Sequence, residues 1–219
     1  MLFIKYASKF DYLYLIATFI LLINTGCVAN NNAIKHQPKH SIKSIEVSLP
    51  ESIQWKKVTD KTITRGYIRE WVPKGSTGEN AEWIVVEQKF TQKSSIGAMK
   101  FTAGMYAIAK KMCEDVKYLK PVSHSVKGYD SVLGWVICSR QKGLNYGTFT
   151  HQRVITDKNV VYVVTSELRM PPTKKAGMFA FQKAERHKMK PFLARVKQSK
   201  LFVQNSVGVC VADGNSCSK

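Results

Sequence analysis

Residues 132–139 read VLGWVICS and residues 160–170 read VVYVVTSELRM, and these two runs decide the fold class. Both are rich in the β-branched and aromatic residues that favour strands. Thr148–Ile155 lies between them and has the same character, and the turn segments QKGLNYG and DKN separate the three runs. Turns with glycine or asparagine at such short intervals are typical of antiparallel hairpins. The sequence therefore predicts an antiparallel meander.

Further strands and one helix are predicted before the meander. The strands are Ile45–Leu49, Gly66–Val72, Trp83–Phe90 and Val122–Val126. The helix runs from Phe101 to about Lys117, where apolar residues recur at three- and four-residue steps and Cys113 falls on or near the buried face. The predicted fold class is α+β, with an antiparallel sheet of about five or more strands, one packed helix and a C-terminal basic amphipathic helix.

That C-terminal helix is predicted within residues 173–200, which hold nine lysines and arginines against the single acid Glu185. An apolar stripe of Met189, Phe192, Leu193 and Val196 indicates one or two amphipathic helices, started or bent near Pro191. The segment is either a terminal helix with a solvated basic back or a surface for an anionic membrane or a partner protein. The partner interpretation rests on Lys174, Lys175, Lys183, Arg186, Lys188 and Lys190.

The first residues predict export. Residues 1–26 combine a weakly positive start with an apolar run of signal-peptide length. Thr25, Gly26 and Cys27 resemble a bacterial lipobox, with Asn24 standing where an aliphatic residue is usual. We therefore expect residues 1–26 to be a signal peptide and Cys27 to be the lipidated N-terminus. Cleavage after Ala29 is the alternative, and a membrane-spanning helix would have to extend through polar asparagines.

The predicted organisation places a tether at residues 27–44 and a single α+β domain at residues 45–219. The tether is polar and has no apolar periodicity. Because no Asp follows Cys27, the expected location is the outer membrane, with the domain facing the periplasm. Without lipidation, the protein would be periplasmic.

The number of cysteines also supports export to an oxidising compartment. Removal of Cys27 to lipid or to the discarded peptide leaves four cysteines, an even number that suits an oxidising compartment. Four cysteines allow three pairings, and we predict Cys113–Cys138, which would tie the helix to a strand, and Cys210–Cys217, which would close a short turn. The alternative is that Cys113 and Cys138 are buried free thiols.

The residues that could act as acids, bases, nucleophiles or metal ligands do not form a catalytic motif. The histidines are His36, His40, His124, His151 and His187, and none stands in a HExxH-type or CxxC-type arrangement. A folded Cys138–His151 pair would lack a thiolate if the cysteine were oxidised. The chain also contains no P-loop, GxGxxG or GxSxG motif. We expect no catalytic residues, no cofactor and no metal.

The net charge of +19 would attract an anionic partner. Candidates are anionic lipid or glycan, an acidic protein and nucleic acid, although a lysine-rich composition also occurs on ordinary solvated surfaces. We do not expect nucleic acid as a partner, because no recognised binding motif accompanies the charge and exported proteins seldom meet DNA.

One stretch resembles a known group. Residues 70–75 read EWVPKG, and Asn80 and Trp83 follow before a strand. The pattern is similar to small uncharacterised envelope proteins and lipoproteins of Gram-negative gammaproteobacteria, over roughly residues 64–172, with Ala81-Glu82 as a departure between Asn80 and Trp83. The layout also resembles the sheet-plus-helix fold of PsbP and Mog1-type adaptors, and the size and charge resemble accessory subunits of Dot/Icm-like type IV secretion complexes. This group implies no catalytic residues.

We therefore expect a non-enzymatic envelope lipoprotein that acts as a structural or accessory subunit of an envelope assembly. Its association with secretion is implied only by the resemblance. Its membrane contact would be the N-terminal lipid, and its partner surface would be the Trp71–Trp83 turn together with the basic segment. The first alternative is a soluble periplasmic binder of an anionic glycan or lipid. The second is an enzyme of unrecognised type.

Overall fold

Nine strands and two helices make up the part of the chain that the computed structural model describes, which is residues 40–177, 186–211 and 217. The strands are β1 Ile42–Val47, β2 Trp55–Ile63, β3 Gly66–Pro73, β4 Trp83–Thr91, β5 Val116–Val126, β6 Tyr129–Cys138, β7 Gly147–Asp157, β8 Val160–Met170 and β9 Val207–Val211. The helices are α1 Ala98–Met112 and α2 Arg186–Asn205. All of these elements belong to one compact unit.

Seven of the strands form an antiparallel sheet in the order β2-β3-β4-β8-β7-β6-β5. The meander β5 to β8 pairs through consecutive hairpins, and β8 then lies beside β4 in the middle of the sheet. Strands β1 and β9 form a separate two-stranded antiparallel sheet. The predicted α+β class with a large antiparallel sheet is confirmed.

The two helices pack on opposite faces of the large sheet. His151 of β7 contacts Ser199 of α2 on one face of the sheet. Its neighbour Gln152 lies on the other face beside Gly134, and Gly134 lies close to Tyr106 of α1. Successive side chains of a strand point to opposite faces, so α2 covers one face and α1 covers the other. Strands β4, β6, β7 and β8 are consequently buried on both sides, which explains their nearly continuous apolar runs.

Two strands were not predicted from the sequence. Strand β2 (WKKVTDKTI) is an exposed edge strand with three lysines, and such charged edges are how sheets discourage pairing with other chains. Strand β9 is short, and it forms only because β1, more than 150 residues earlier in the chain, supplies its partner. Strand β1 begins at Ile42, which is buried, so regular structure starts before residue 45.

The ends of two predicted elements differ from the observed ones. Helix α1 begins at Ala98, whose N–H donates to Asp130 Oδ2 at 2.9 Å, and it ends at Met112. Strand β5 begins at Val116, earlier than the predicted Val122, and includes Pro121. The pairing register with β6 shifts between Leu119 and Val122, and an edge strand tolerates proline at such an irregularity because no ladder hydrogen bond is lost there.

Helix α2 fits the predicted basic amphipathic helix, with Pro191 inside its N-terminal part. Its buried residues are Phe192, Ser199, Phe202 and Val203, and the apolar members join the core against β7 and β8. Of the predicted segment, residues 178–185 lie outside the described part. The predicted tether and signal peptide lie outside it up to residue 39.

Candidate functional site

A chain of buried hydrogen bonds joins α2 to the middle of the sheet. The Trp83 indole N–H donates to Ser166 Oγ at 2.7 Å, and the hydroxyl of Ser199 donates to the same oxygen at 2.8 Å. His151 Nδ1 lies 2.7 Å from Ser199 Oγ. Since the Ser199 proton is directed to Ser166, the Nδ1–H tautomer of His151 completes the chain by donating to Ser199.

This Ser–His pair is sealed from solvent. Ser199 and Ser166 are 0% exposed and His151 is 2% exposed. Burial, together with the nearby Lys200 ammonium, lowers the pKa of His151 to about 4, so the imidazole is neutral at neutral pH. A nucleophile needs a path for substrate, and the fully buried Ser199 has none. The arrangement is a structural connection between helix and sheet.

A cationic cleft lies where the β2–β3 hairpin meets the end of β4. Its volume is about 560 Å³, and its lining includes Arg65, Lys89, Gln92 and Lys93. We call it the β2–β3 cleft. No carboxylate lines it, so its lining carries three positive charges and no negative one.

Tyr67 forms a fixed wall of the β2–β3 cleft. Its hydroxyl donates to Glu87 Oε1 at 2.5 Å, and the Arg69 guanidinium lies 4.3 Å from its ring centre. Burial, followed by the hydrogen bond to Glu87, raises the pKa of Tyr67, which therefore stays protonated. Gly66 is required at the turn, because a Cβ there would lie 1.7 Å from the Lys89 carbonyl oxygen.

The predicted surface of Trp71 and Trp83 is wrong for Trp83. That side chain is 1% exposed and belongs to the core, with its indole hydrogen-bonded to Ser166 and its ring in an edge contact with Trp55. Trp71 is partly buried against the same core, and Lys57 lies over its ring at 5.9 Å. The turn itself is held by Asn80, whose Oδ1 accepts from Thr77 N at 2.7 Å.

The basic side chains of residues 173–200 are exposed wherever they are described. Lys174 and Lys175 follow β8, and Lys188 and Lys190 lie on α2. Lys183 lies outside the described residues, and Arg186 is described only as the first residue of α2. The outer surface of α2 also carries Arg195, Lys197 and Lys200, together with Leu193 and Leu201 at 43% and 46% exposure.

Both predicted disulfides are present. Cys113–Cys138 joins the end of α1 to the end of β6, and Cys210–Cys217 closes the segment after β9. The first removes any thiolate from Cys138, which also lies on the face of the sheet opposite to His151. The alternative of free thiols at Cys113 and Cys138 is therefore wrong.

The described residues contain neither a metal-binding cluster nor a membrane-spanning helix. Within residues 40–177 and 186–211, no three His, Cys, Asp or Glu side chains come together in a group that could hold a metal ion. No helix of that same part is long and apolar enough to cross a membrane.

Sequence reasoning missed the residues that the fold assembles. Ser166 and Ser199 carry no motif, and neither does Gln92 of the β2–β3 cleft. The available signal for the cleft was the turn Arg65-Gly66 followed, about 25 residues later, by Lys89 and Lys93 in a strand end. That signal is weak because basic residues are frequent throughout this chain.

No protein-family model and no curated protein matches the chain. Among solved structures, a protein of unknown function from Pseudomonas aeruginosa is 14% identical, with 69% of this chain and 83% of that one covered and a TM-score of 0.34. LpqN, a protein involved in cell envelope biogenesis of Mycobacterium tuberculosis, is 10% identical, with 74% and 84% covered and a TM-score of 0.34. At this level of similarity we draw nothing from either about the present chain.

Proposed function

We propose that this protein is a non-enzymatic lipoprotein of the bacterial cell envelope, anchored through Cys27, which acts as an accessory subunit by docking α2 against an acidic surface of another envelope protein. The observation that carries the docking proposal is the composition of α2. The helix contains six lysines and arginines and no acidic residue. Such a surface attracts carboxylates and orients a partner during encounter.

A protein partner fits α2 better than a bilayer does. A helix that lies on a membrane needs a wide apolar face directed at the lipid. The apolar face of α2 is already used, because Phe192, Phe202 and Val203 are buried in the core. The outer surface offers only Leu193 and Leu201 as exposed large apolar side chains of this helix, which is enough for local packing at a protein interface.

The structure contains one example of the proposed contact. Arg195 of α2 pairs with Glu82, a residue of the turn before β4, and both side chains are well exposed. The pair contributes little to stability because it is solvated. It does show that a guanidinium on this helix reaches a carboxylate on a neighbouring surface, which is the chemistry that docking would repeat.

The test is site-specific photo-crosslinking in intact cells. A crosslinking residue at Lys197 on the outer surface of α2 is compared with one at Lys142, an exposed residue of the β6–β7 connection. We expect Lys197 to capture one defined envelope protein and Lys142 not to capture it. Lys190→Glu/Lys197→Glu should abolish co-purification, and exchange of acidic residues for lysines on the partner should restore it.

Equal adducts from both positions, adducts to lipid alone, or failure of the charge exchange would contradict the docking proposal. Lys120→Glu/Lys142→Glu is the matched control because both residues are exposed and the change in net charge is the same. If the control pair also abolishes co-purification, the effect is general electrostatics and not docking by α2.

A further inference from the structure

We propose that the β2–β3 cleft is a binding site for the phosphate group of a small phosphorylated ligand. The proposal does not depend on α2 or on the envelope partner. The cleft volume, about 560 Å³, lies within the range of roughly 300–1,000 Å³ that ligand pockets occupy. It is large enough for a sugar phosphate and not merely for an isolated ion.

The cations of the cleft have no anionic partner in the described part of the chain. None of the ion pairs found there involves Arg65, Lys89 or Lys93. The Lys89 ammonium instead lies 5.6 Å from the centre of the Tyr162 ring. Three uncompensated charges around one cavity repel each other, and a bound anion would relieve that repulsion.

The donors together specify an oxyanion. The residues that line the cleft carry one guanidinium, two ammonium groups and the hydroxyls of Thr62 and Thr91 as donors, and no carboxylate competes with a bound anion for them. A phosphate offers several oxygens, binds a guanidinium through two parallel hydrogen bonds and carries more charge than a carboxylate. A soluble sugar phosphate and a phospholipid headgroup share this chemistry.

The experiment is a titration of the full chain, purified with its disulfides intact, using glucose 6-phosphate, with glucose as the uncharged control. A parallel arm uses phosphatidylcholine vesicles with and without phosphatidic acid. Saturable binding of glucose 6-phosphate supports a site for soluble ligands. Binding to phosphatidic acid vesicles alone supports a site for lipid headgroups. Binding in neither arm overturns the proposal.

Two sets of variants separate the site from general charge. Arg65→Gln/Lys93→Gln should weaken binding roughly tenfold or more, because hydrogen bonds to a charged group are the strong ones. The control Lys120→Gln/Lys142→Gln carries the same change in net charge on exposed residues outside the cleft. An equal loss in both pairs overturns the proposal.

Discussion

At the scale of single residues, the His151–Ser199–Ser166 chain determines how the protein responds to pH. A buried imidazole that stays neutral in the folded protein gains its proton more readily in the unfolded chain. The unfolded state therefore binds more protons between pH 6.5 and about 4, and acidification favours unfolding over that interval. The histidine is a point of acid sensitivity in the contact between α2 and the sheet.

We predict that the free energy of unfolding falls as the pH drops from 6.5 to about 4, by about 3 kcal/mol from His151 alone. His151→Gln should be less stable at pH 7, through lost packing and hydrogen bonding, but should lose less stability on acidification. The measurement is urea denaturation at a series of pH values.

His124→Gln is the control because His124 is exposed. Burial raises the pKa of Glu167, which has the opposite effect on stability, but this contribution is common to all variants and cancels in the comparison. Parallel pH profiles for wild type and His151→Gln would contradict the assignment.

At the scale of elements, the Cys113–Cys138 disulfide fixes the end of α1 to β6. Helix α1 has no acidic residue in its first turn and only four buried residues, so its attachment depends on contacts at its ends. Asp130 holds the first residue, Ala98, and the disulfide holds the residue that follows the last turn. Helix and sheet are thus joined at both ends of α1.

We predict that Cys113→Ala/Cys138→Ala lowers the free energy of unfolding more than Cys210→Ala/Cys217→Ala does. The sequence separations are 25 and 7 residues, and loop-closure entropy gives roughly 3.5 and 2.4 kcal/mol for these two lengths. Denaturation of both double variants under non-reducing conditions measures the difference. A larger loss for the Cys210–Cys217 pair would show that chain entropy does not govern these bonds.

At the scale of the whole molecule, anchoring would set where α2 and the β2–β3 cleft act. The first strand begins at Ile42, which leaves 14 residues between it and Cys27. A chain of that length spans at most about 50 Å. A lipid on Cys27 would therefore keep the folded unit close to the membrane surface.

We predict a diacylglycerol-sized mass increment on Cys27 in the protein recovered from membranes, with the other four cysteines protected from thiol reagents until reduction. Intact-mass measurement with and without reduction checks both statements, and Cys27→Ser should lose the increment and the membrane association. A mature chain that starts at Asn30 without lipid would instead indicate a periplasmic protein and would remove the anchoring argument.

The sequence by itself determined the elements whose signal is local. The apolar and β-branched runs of β4 and β6 to β8 predict strands wherever they occur, because period and propensity are read within a few residues. The basic amphipathic character of α2 was accessible in the same way, whereas the two cysteine pairings were one choice among three that the sequence allows. Strand β2 was missed because its exposed, charged side chains lack a clear alternation.

Only the tertiary structure decided which face each residue occupies and which distant residues meet. Trp83 stands in a motif that suggests a surface, yet it is buried because Ser166, 83 residues later, accepts its indole proton beneath α2. The β2–β3 cleft likewise requires the turn at Gly66 to lie against the end of β4. Such contacts depend on sheet order and helix placement. Both arise from the cooperative burial of the whole core, so no short stretch of sequence predicts them.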